Sequence, residues 1–240
     1  MIYKSFNFAN CFVVDRNGLG GGLALLWGAD VNVNITSYNP YHIDAVVSSE
    51  CGLVWRCTRI YSHLELSKKH NTWTLLKRLA NFSSYPWCCF GDFNEVMHMY
   101  EKSGGNEKNV NVVIEFREVV QNCNLIDIGC KGYLYTWSNR RFGTNYIEEW
   151  LDRFLYSKDW GNKFQDFTAA NLINWVSDHC PIVLEFKERC KKLRTVSRLF
   201  PRDHYEDMWS SYEDCRSIIR DEWGNYGLEL GRILLTNFSG

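Results

Sequence analysis

Trp87-Cys88-Cys89-Phe90-Gly91-Asp92-Phe93-Asn94 is an apolar run that leads directly into a glycine, a carboxylate and an amide. A short, wholly apolar run predicts a strand that is covered on both faces. Asp92 and Asn94 then follow the strand end, where layered α/β proteins gather their active sites. If the chain stays extended, the two side chains point the same way. The stretch predicts a buried strand with a candidate polar site at its end; the alternative is an ordinary turn, since Asp and Asn are common turn residues.

Two further polar motifs lie downstream, each at the edge of a predicted strand: Leu151-Asp152-Arg153 and Ser177-Asp178-His179. An acid beside a histidine offers a metal ligand and a proton carrier together. We expect Asp152 to accept a hydrogen bond from the His179 ring and to fix its tautomer; the alternative is a salt bridge between Asp152 and Arg153. Metal-assisted phosphodiester hydrolysis needs hard oxygen ligands, a polar group that orients water and a proton carrier. The three motifs together indicate that chemistry.

The composition indicates one large folded domain with a smaller appendage. The 240 residues are 45% hydrophobic and 15% aromatic, with ten Trp, which suffices for a sizeable core and excludes a disordered tail. A formal net charge of −1 gives no global attraction to nucleic acid or to an anionic membrane. Any contact with nucleic acid must therefore use a local face of the protein.

The ten cysteines contain no C-x-x-C pair, so their spacing does not predict a zinc site. We interpret them as reduced thiols that are mostly buried. The sequence shows no secretory leader and no apolar stretch near the ~20 residues that a membrane-spanning helix needs. These observations predict a soluble, intracellular protein.

Apolar periodicity predicts strands in two successive series with two helices between them. One helix, capped by Ser67, carries Trp73, Leu76, Leu79 and Ala80 on one face. The other carries the stripe Val112, Val113, Phe116, Val119, Val120 and Cys123. Besides Trp87 to Phe90, the predicted strands are Cys11–Asp15, Gly21–Trp27, Val31–Ile35, His42–Val47, Leu53–Tyr61, Leu125–Ile128, Tyr133–Trp137, Ile147–Leu155, Phe164–Leu172 and Ile182–Phe186. This order predicts two packed sheets with helices outside.

The composition changes after Phe186. The segment Lys187 to Arg198 carries six basic residues against one acid. We interpret it as a solvated linker, with a nucleic-acid contact as the alternative. The segment from Tyr205 to Trp223 predicts an amphipathic helix that ends at Gly224.

The order of these motifs resembles the endonuclease/exonuclease/phosphatase superfamily of Mg²⁺-dependent phosphoesterases. More narrowly, it resembles the endonuclease domain of plant non-LTR (LINE-type) retrotransposon polyproteins. The resemblance covers roughly residues 6 to 187, and the segment Phe200 to Trp223 resembles the helical connector before reverse transcriptase. The matching motifs are Asn10-Cys-Phe-Val-Val-Asp15, Gly21-Gly-Leu-Ala-Leu-Leu-Trp27, Trp87-Cys-Cys-Phe-Gly-Asp-Phe-Asn94, Glu101-Lys-Ser-Gly-Gly105, Tyr135-Thr-Trp-Ser-Asn139, Leu151-Asp-Arg153 and Ser177-Asp-His-Cys-Pro181.

The resemblance implies an α/β (α+β) fold, a four-layer sandwich of two mixed or antiparallel sheets flanked by helices. It implies an endonuclease-like domain over residues 1–187, and a basic linker and helical connector over residues 188–240. It further implies nicking of double-stranded DNA with Mg²⁺ or Mn²⁺, in the nucleus, by a domain originally fused to reverse transcriptase.

The resemblance also implies a role for each matching site residue. Asp92 would activate water, Asn94 would position the water and the phosphate, and Tyr61 would contact the scissile phosphate. Asp152 would orient His179, which would stabilise the pentacovalent phosphate. The remaining implied positions are polar: a metal ligand at Asp178, and phosphate or DNA contacts at Thr136, Ser177 and Asn139.

One departure from the family concerns the start of the chain. The family's first strand supplies an Asn and its second a Glu that binds Mg²⁺, both upstream of the segment matching Asn10 to Asp15. Met1 lies only a few residues before that segment, and neither Glu50 nor Glu65 sits in a matching motif. We therefore expect an N-terminally truncated domain without its first strands, with weakened metal binding and impaired or no activity. The alternatives are a non-catalytic nucleic-acid-binding or interaction remnant, and a superfamily phosphatase or exonuclease.

Overall fold

A six-stranded mixed sheet forms the centre of the computed structural model, which describes residues 8–15, 22–172, 177–188 and 231–235. The helices are α1 (Lys69–Ala80), α2 (Val110–Asn122) and α3 (Lys158–Lys163), with 3₁₀ turns at Leu66–Lys68, Met99–Glu101 and Gly143–Asn145. The strands are β1 (Asn10–Val14), β2 (Leu23–Trp27), β3 (Val31–Asn39), β4 (His42–Ser49), β5 (Val54–Tyr61), β6 (Trp87–Asp92), β7 (Lys102–Ser103), β8 (Leu125–Asp127), β9 (Trp137–Ser138), β10 (Glu148–Glu149), β11 (Asp152–Ser157), β12 (Phe164–Asn171), β13 (Ile182–Glu188) and β14 (Gly231–Leu235).

The central sheet has the strand order β3-β4-β5-β6-β11-β8. Strands β5 and β6 pair in parallel, and the other neighbours are antiparallel. A parallel pair needs a crossover connection, which here contains α1. All six residues of β6 are buried, as the apolar run from Trp87 predicts.

The two faces of the central sheet carry separate cores. On one face, α1 and α2 pack against β6, and the rings of Trp73 and Phe116 stack with centroids 4.7 Å apart. On the other face, Phe90 and Phe154 pack into a core shared with the smaller sheets β1-β2 and β12-β13-β14. Two sheet layers with helices outside confirm the predicted α/β sandwich.

Several predicted strands differ from the structure where the chain passes between sheets. Of the predicted strand Tyr133–Trp137, only Trp137 lies in a strand, which is β9 (Trp137–Ser138). The predicted strand Ile147–Leu155 is broken into β10 and β11, because the peptides of Trp150 and Leu151 leave the ladder. Trp150 N donates to the carbonyl of Glu101 at 2.9 Å, and Leu151 O accepts from Phe93 N at 3.0 Å.

The start of α1 also differs from the prediction. Ser67 does not cap α1, because it lies inside the 3₁₀ turn that precedes this helix, and the residue before α1 makes no side-chain cap. Strand β14, which the sequence analysis did not predict, pairs antiparallel with β13. The predicted helix from Tyr205 to Trp223 lies outside the described residues. No described helix is long and apolar enough to cross a membrane.

The cysteines agree with the sequence interpretation only in part. The eight that are described are free thiols. Four of them are buried, namely Cys57, Cys88, Cys89 and Cys123, and the others are half-buried or exposed. Burial raises the pKa of the Cys123 thiol to about 11, which keeps that thiol protonated and unreactive near neutral pH.

Candidate active site

Three polar side chains form a row across the end of the central sheet. Tyr61 of β5 and Asp152 of β11 are both register partners of Asp92 on β6. Because paired positions on neighbouring strands share a face, all three point to the side covered by the smaller sheets. The row thus lies between the two sheet layers, where the predicted strand end places it.

Asn94 reaches Asp92 by a turn of the backbone. Its φ of 52° places it in the left-handed region, so the chain does not stay extended as the sequence analysis assumed. Asn94 N donates to Asp92 Oδ1 and Asn94 Nδ2 to Asp92 Oδ2, both at 2.8 Å. The Nδ2 group also donates to the carbonyl of Ser62 at 3.1 Å. Asn94 therefore fixes both carboxylate oxygens of Asp92.

His179 lies in the segment just before β13 and completes the site next to the row. Its Nδ1 lies 2.8 Å from Asp152 Oδ2, and its Nε2 lies 4.0 Å from Asp92 Oδ2. The contact between Asp152 and His179 is the one expected from the sequence. The alternative salt bridge with Arg153 is wrong: that guanidinium turns away and pairs with Glu101 at 2.7 Å and Asp127 at 2.6 Å.

The electrostatics of the row place opposite charges side by side. Burial and the charge of Asp152 raise the pKa of Asp92 to about 7, against the opposing effects of His179 and Asn94. Burial alone would lower the pKa of His179, but the charge and hydrogen bond of Asp152, with the charges of Asp92 and Asp178, raise it to about 10. Near neutral pH the ring is therefore a cation, and Asp92 has the pKa of an effective general base.

Arg59 is a site neighbour that the sequence analysis missed. It pairs with Phe90, two residues before the Tyr61–Asp92 pair on the same strands, and only 1% of it is exposed. Its Nη1 donates to the carbonyl of Ala24 at 3.0 Å. Burial lowers the pKa of Arg59 to about 10, while the charges of Asp152 and Asp92 oppose that effect. An arginine within an otherwise buried strand was the available signal, because buried arginines are paired or functional.

Asp178, the predicted metal ligand, faces a different partner. Its Oδ2 accepts from Trp137 Nε1 at 3.0 Å, and its Oδ1 lies 3.5 Å from Ser177 Oγ. It is not in the group of close donor atoms formed by Asp92, Asp152 and His179, which lie within 4.8 Å of one another. Metal binding by Asp178 and phosphate contact by Ser177 stay predictions.

Thr136 and Asn139 bind neighbouring backbone. Thr136 is fully buried, and its Oγ1 accepts from the N–H groups of Leu151 and Asp152 at 3.0 and 2.9 Å. Asn139 Nδ2 donates to the carbonyl of Asn145 at 2.7 Å, and its Oδ1 accepts from two backbone N–H groups. Thr136 holds the backbone that carries Asp152, and Asn139 holds the loop before β10. Their contact with phosphate or DNA stays a prediction.

The donor set fits a divalent cation. Asp92 and Asp152 supply carboxylate oxygens, which Mg²⁺ and Mn²⁺ prefer. Their mutual repulsion is one cause of the raised pKa of Asp92, so a cation between them would be stabilised. His179 already uses Nδ1 to contact Asp152, which suits it to a role beside the metal.

Comparison with known proteins identifies the fold. The endonuclease domain of TRAS1, a telomere-specific non-LTR retrotransposon, superposes with a TM-score of 0.55 at 11% identity, over 76% of this chain and 80% of that domain. An endonuclease/exonuclease/phosphatase family protein from Bacteroides thetaiotaomicron gives 0.47 at 16% identity, over 72% and 71% of the two chains. The chain has the fold of a retrotransposon endonuclease domain, which confirms the resemblance found in its sequence at the level of the fold.

Sequence comparison adds less. A stretch of 141 residues, 58% of this chain, is 29% identical to the DNA mismatch repair protein MSH6 of Arabidopsis thaliana. The match spans 9% of that protein. No family model matches the chain.

Proposed function

We propose that this chain is a metal-dependent phosphodiesterase that nicks double-stranded DNA, with low activity. The observation that carries the proposal is the group formed by Asp92, Asp152 and His179. In it, the Asp92 carboxylate, fixed by Asn94, lies beside a cationic imidazole. A base with a pKa near 7 next to a cation is suited to hydrolysis at neutral pH.

Each side chain has a distinct task in this proposal. Asp92 accepts the proton of the attacking water, and Asn94 keeps its carboxylate aimed at that water. His179, held by Asp152, stabilises the negative charge of the pentacovalent phosphate. Tyr61, in the same row, contacts the scissile phosphate. Asp92 and Asp152, with Asp178 nearby, would hold a divalent metal, which would supply charge neutralisation at a phosphate oxygen.

The choice of DNA rests on the motifs shared with retrotransposon endonuclease domains. A domain of that kind would work in the nucleus on chromosomal DNA and would be joined to reverse transcriptase. The division into a catalytic domain over residues 1–187 and a connector over residues 188–240 is part of the same proposal.

The low activity follows from the ligands that the described residues supply. Two carboxylates form the close donor group, and one of them also neutralises His179. Asp178 is bound by Trp137. Mg²⁺ bound by one or two carboxylates depends on further oxygen ligands, so we expect weak binding and slow turnover.

A plasmid-nicking assay tests the proposal. Supercoiled DNA is incubated with the full chain and Mg²⁺ or Mn²⁺, with and without EDTA, beside the variants Asp92→Asn and His179→Ala. We expect slow nicking at millimolar metal that EDTA and both substitutions abolish. DNA binding that survives EDTA and both substitutions, without nicking, would instead support a non-catalytic remnant. Turnover of a small phosphoester but not of plasmid would support a phosphatase.

A further inference from the structure

We propose that Lys69 is a positioning residue for the Asp92 side of the site. It acts through Asn94, whose backbone it holds in the conformation that lets this residue bind both oxygens of Asp92. The inference rests on the proposed function for its catalytic consequence, but its structural part can be tested without any activity.

Lys69 is the first residue of α1, the helix in the crossover between β5 and β6. Only 6% of it is exposed. Its ammonium donates to the carbonyl oxygen of Asn94 at 2.6 Å and to the carboxylate of Glu95. The crossover helix thus delivers a buried cation to the loop that follows β6.

The contact with Asn94 matters because of the backbone at that position. Asn94 has a φ of 52°, in a region that residues with a Cβ populate sparsely and keep only where surrounding contacts hold them. The bond to Lys69 fixes the peptide on the C-terminal side of Asn94. On the N-terminal side, Asn94 N is already bound to Asp92. The left-handed turn is therefore clamped at both ends.

Releasing one end would free the amide side chain. In an extended backbone, Asn94 would lose the geometry in which its N–H and its Nδ2 reach the two oxygens of one carboxylate, 2.8 Å away in each case. Asp92 would then keep its place on β6 but lose its orientation. Displacements of about 1 Å in catalytic groups cost up to about 100-fold in rate, so we expect a loss in kcat.

A purely structural role for Lys69 is the competing explanation, and the ion pairs nearby allow the two to be separated. Lys108 contacts the same Glu95 carboxylate, with Nζ 3.6 Å from Oε1, and also pairs with Glu149. Loss of either lysine removes a positive charge that compensates the Glu95 carboxylate. Only the bond from Lys69 reaches Asn94 among these contacts.

The test compares Lys69→Met with the matched control Lys108→Met, the double variant Lys69→Met/Glu95→Gln and the conservative variant Lys69→Arg. Urea unfolding measures stability, and kcat and KM for plasmid nicking with Mn²⁺ measure catalysis. Hydrogen exchange of the Asn94 side-chain amide, followed by NMR without metal, measures how firmly the turn at Asn94 is held. We call the hold that Lys69 has on this turn the clamp. In the double variant the charge that Lys69 leaves behind is removed as well.

For Lys69→Met and the double variant we expect kcat to fall about 10- to 100-fold with little change in KM, and the Asn94 amide to exchange faster. Stability should recover in the double variant while kcat does not. Lys69→Arg should restore both readouts in part, and Lys108→Met should leave both near wild type. Wild-type kcat in the double variant would overturn the inference.

The exchange measurement separates this inference from the proposed function. A wild-type chain that shows no nicking with either metal removes the proposed function but leaves the clamp testable. Faster exchange of the Asn94 amide in Lys69→Met, but not in Lys108→Met, would then still support the clamp. Unchanged exchange in Lys69→Met overturns it, whatever the activity.

Discussion

Substituting Asp152→Asn tests the electrostatic basis of the site in the metal-free protein. The amide has the shape of the carboxylate, and its oxygen can accept the hydrogen bond that His179 Nδ1 gives to Asp152 at 2.8 Å. The geometry should therefore survive while one negative charge disappears. The difference between the variant and the wild-type chain then measures the effect of that charge on the His179 ring.

The magnitude follows from the pKa of His179, which rises from 6.5 to about 10, with Asp152 as the first cause of the rise. At about 1.4 kcal/mol per pKa unit, this rise stabilises the folded state by about 5 kcal/mol. Because the folded-state pKa is raised, that stability is fully present below pH 6.5 and is lost as the pH rises to about 10. Removing an opposite charge at this distance should lower the pKa by about 1–3 units.

Two measurements check the prediction in the presence of EDTA. NMR titration of the His179 ring should place its pKa about 1–3 units lower in the variant. Urea unfolding at several pH values should show that the wild-type chain loses stability between pH 7 and pH 10, and that the variant loses about 1–4 kcal/mol less. A His179 titration unchanged by the substitution, or pH–stability curves of equal slope, would refute the reasoning.

Three further substitutions test other parts of the site. Asp92→Asn should abolish nicking. The pKa of Asp92 is raised to about 7, so the wild-type chain loses stability as the pH rises from about 4 through 7. In urea unfolding the variant should therefore gain up to about 4 kcal/mol relative to wild type between pH 4 and pH 8. In thermal melts, Gly91→Ala should destabilise by about 3 kcal/mol or more, since its Cβ would lie 2.1 Å from a backbone oxygen. The control Gly52→Ala is also at positive φ but has nothing within 4 Å, and it should cost about 1 kcal/mol. Thr136→Val should cost about 2–4 kcal/mol by leaving two buried N–H groups unpaired, one of them that of Asp152; Thr136→Ser should restore stability, and a valine variant as stable as wild type would contradict this account.

Much of the fold could be predicted because its strands carry strong local signals. The apolar run Trp87 to Phe90 became β6, and the stripe from Val112 to Cys123 became the buried face of α2. The points at which a predicted strand is interrupted could not be predicted in the same way. The sequence predicts one strand over Ile147–Leu155, but a local apolar pattern does not reveal where a chain leaves one sheet for another. That point is set by Trp150, whose N–H binds the carbonyl of Glu101, distant in sequence.

The candidate site divides along similar lines. Asp92, Asp152 and His179 were predicted from motifs at strand ends, and the structure brings them together. The left-handed conformation of Asn94 could not be predicted, because it depends on the distant ammonium of Lys69. The place of Arg59 beneath the acids likewise follows from strand pairing, which the local sequence does not encode.

Packing alone accounts for two of the four residues in Gly91-Asp92-Phe93-Asn94, the stretch that supplies Asp92 and Asn94 to the site. Gly91 is required where β6 passes close to the carbonyl of Ile60. Phe93 is fully buried, with its ring 5.5 Å from that of Phe116. Substitutions at these two positions would destabilise the fold whether or not the chain cleaves DNA. A chain that had lost its activity but still needed to fold would therefore keep Gly91 and Phe93. The residues at positions 92 and 94 are the ones whose identity distinguishes an active chain from an inactive one.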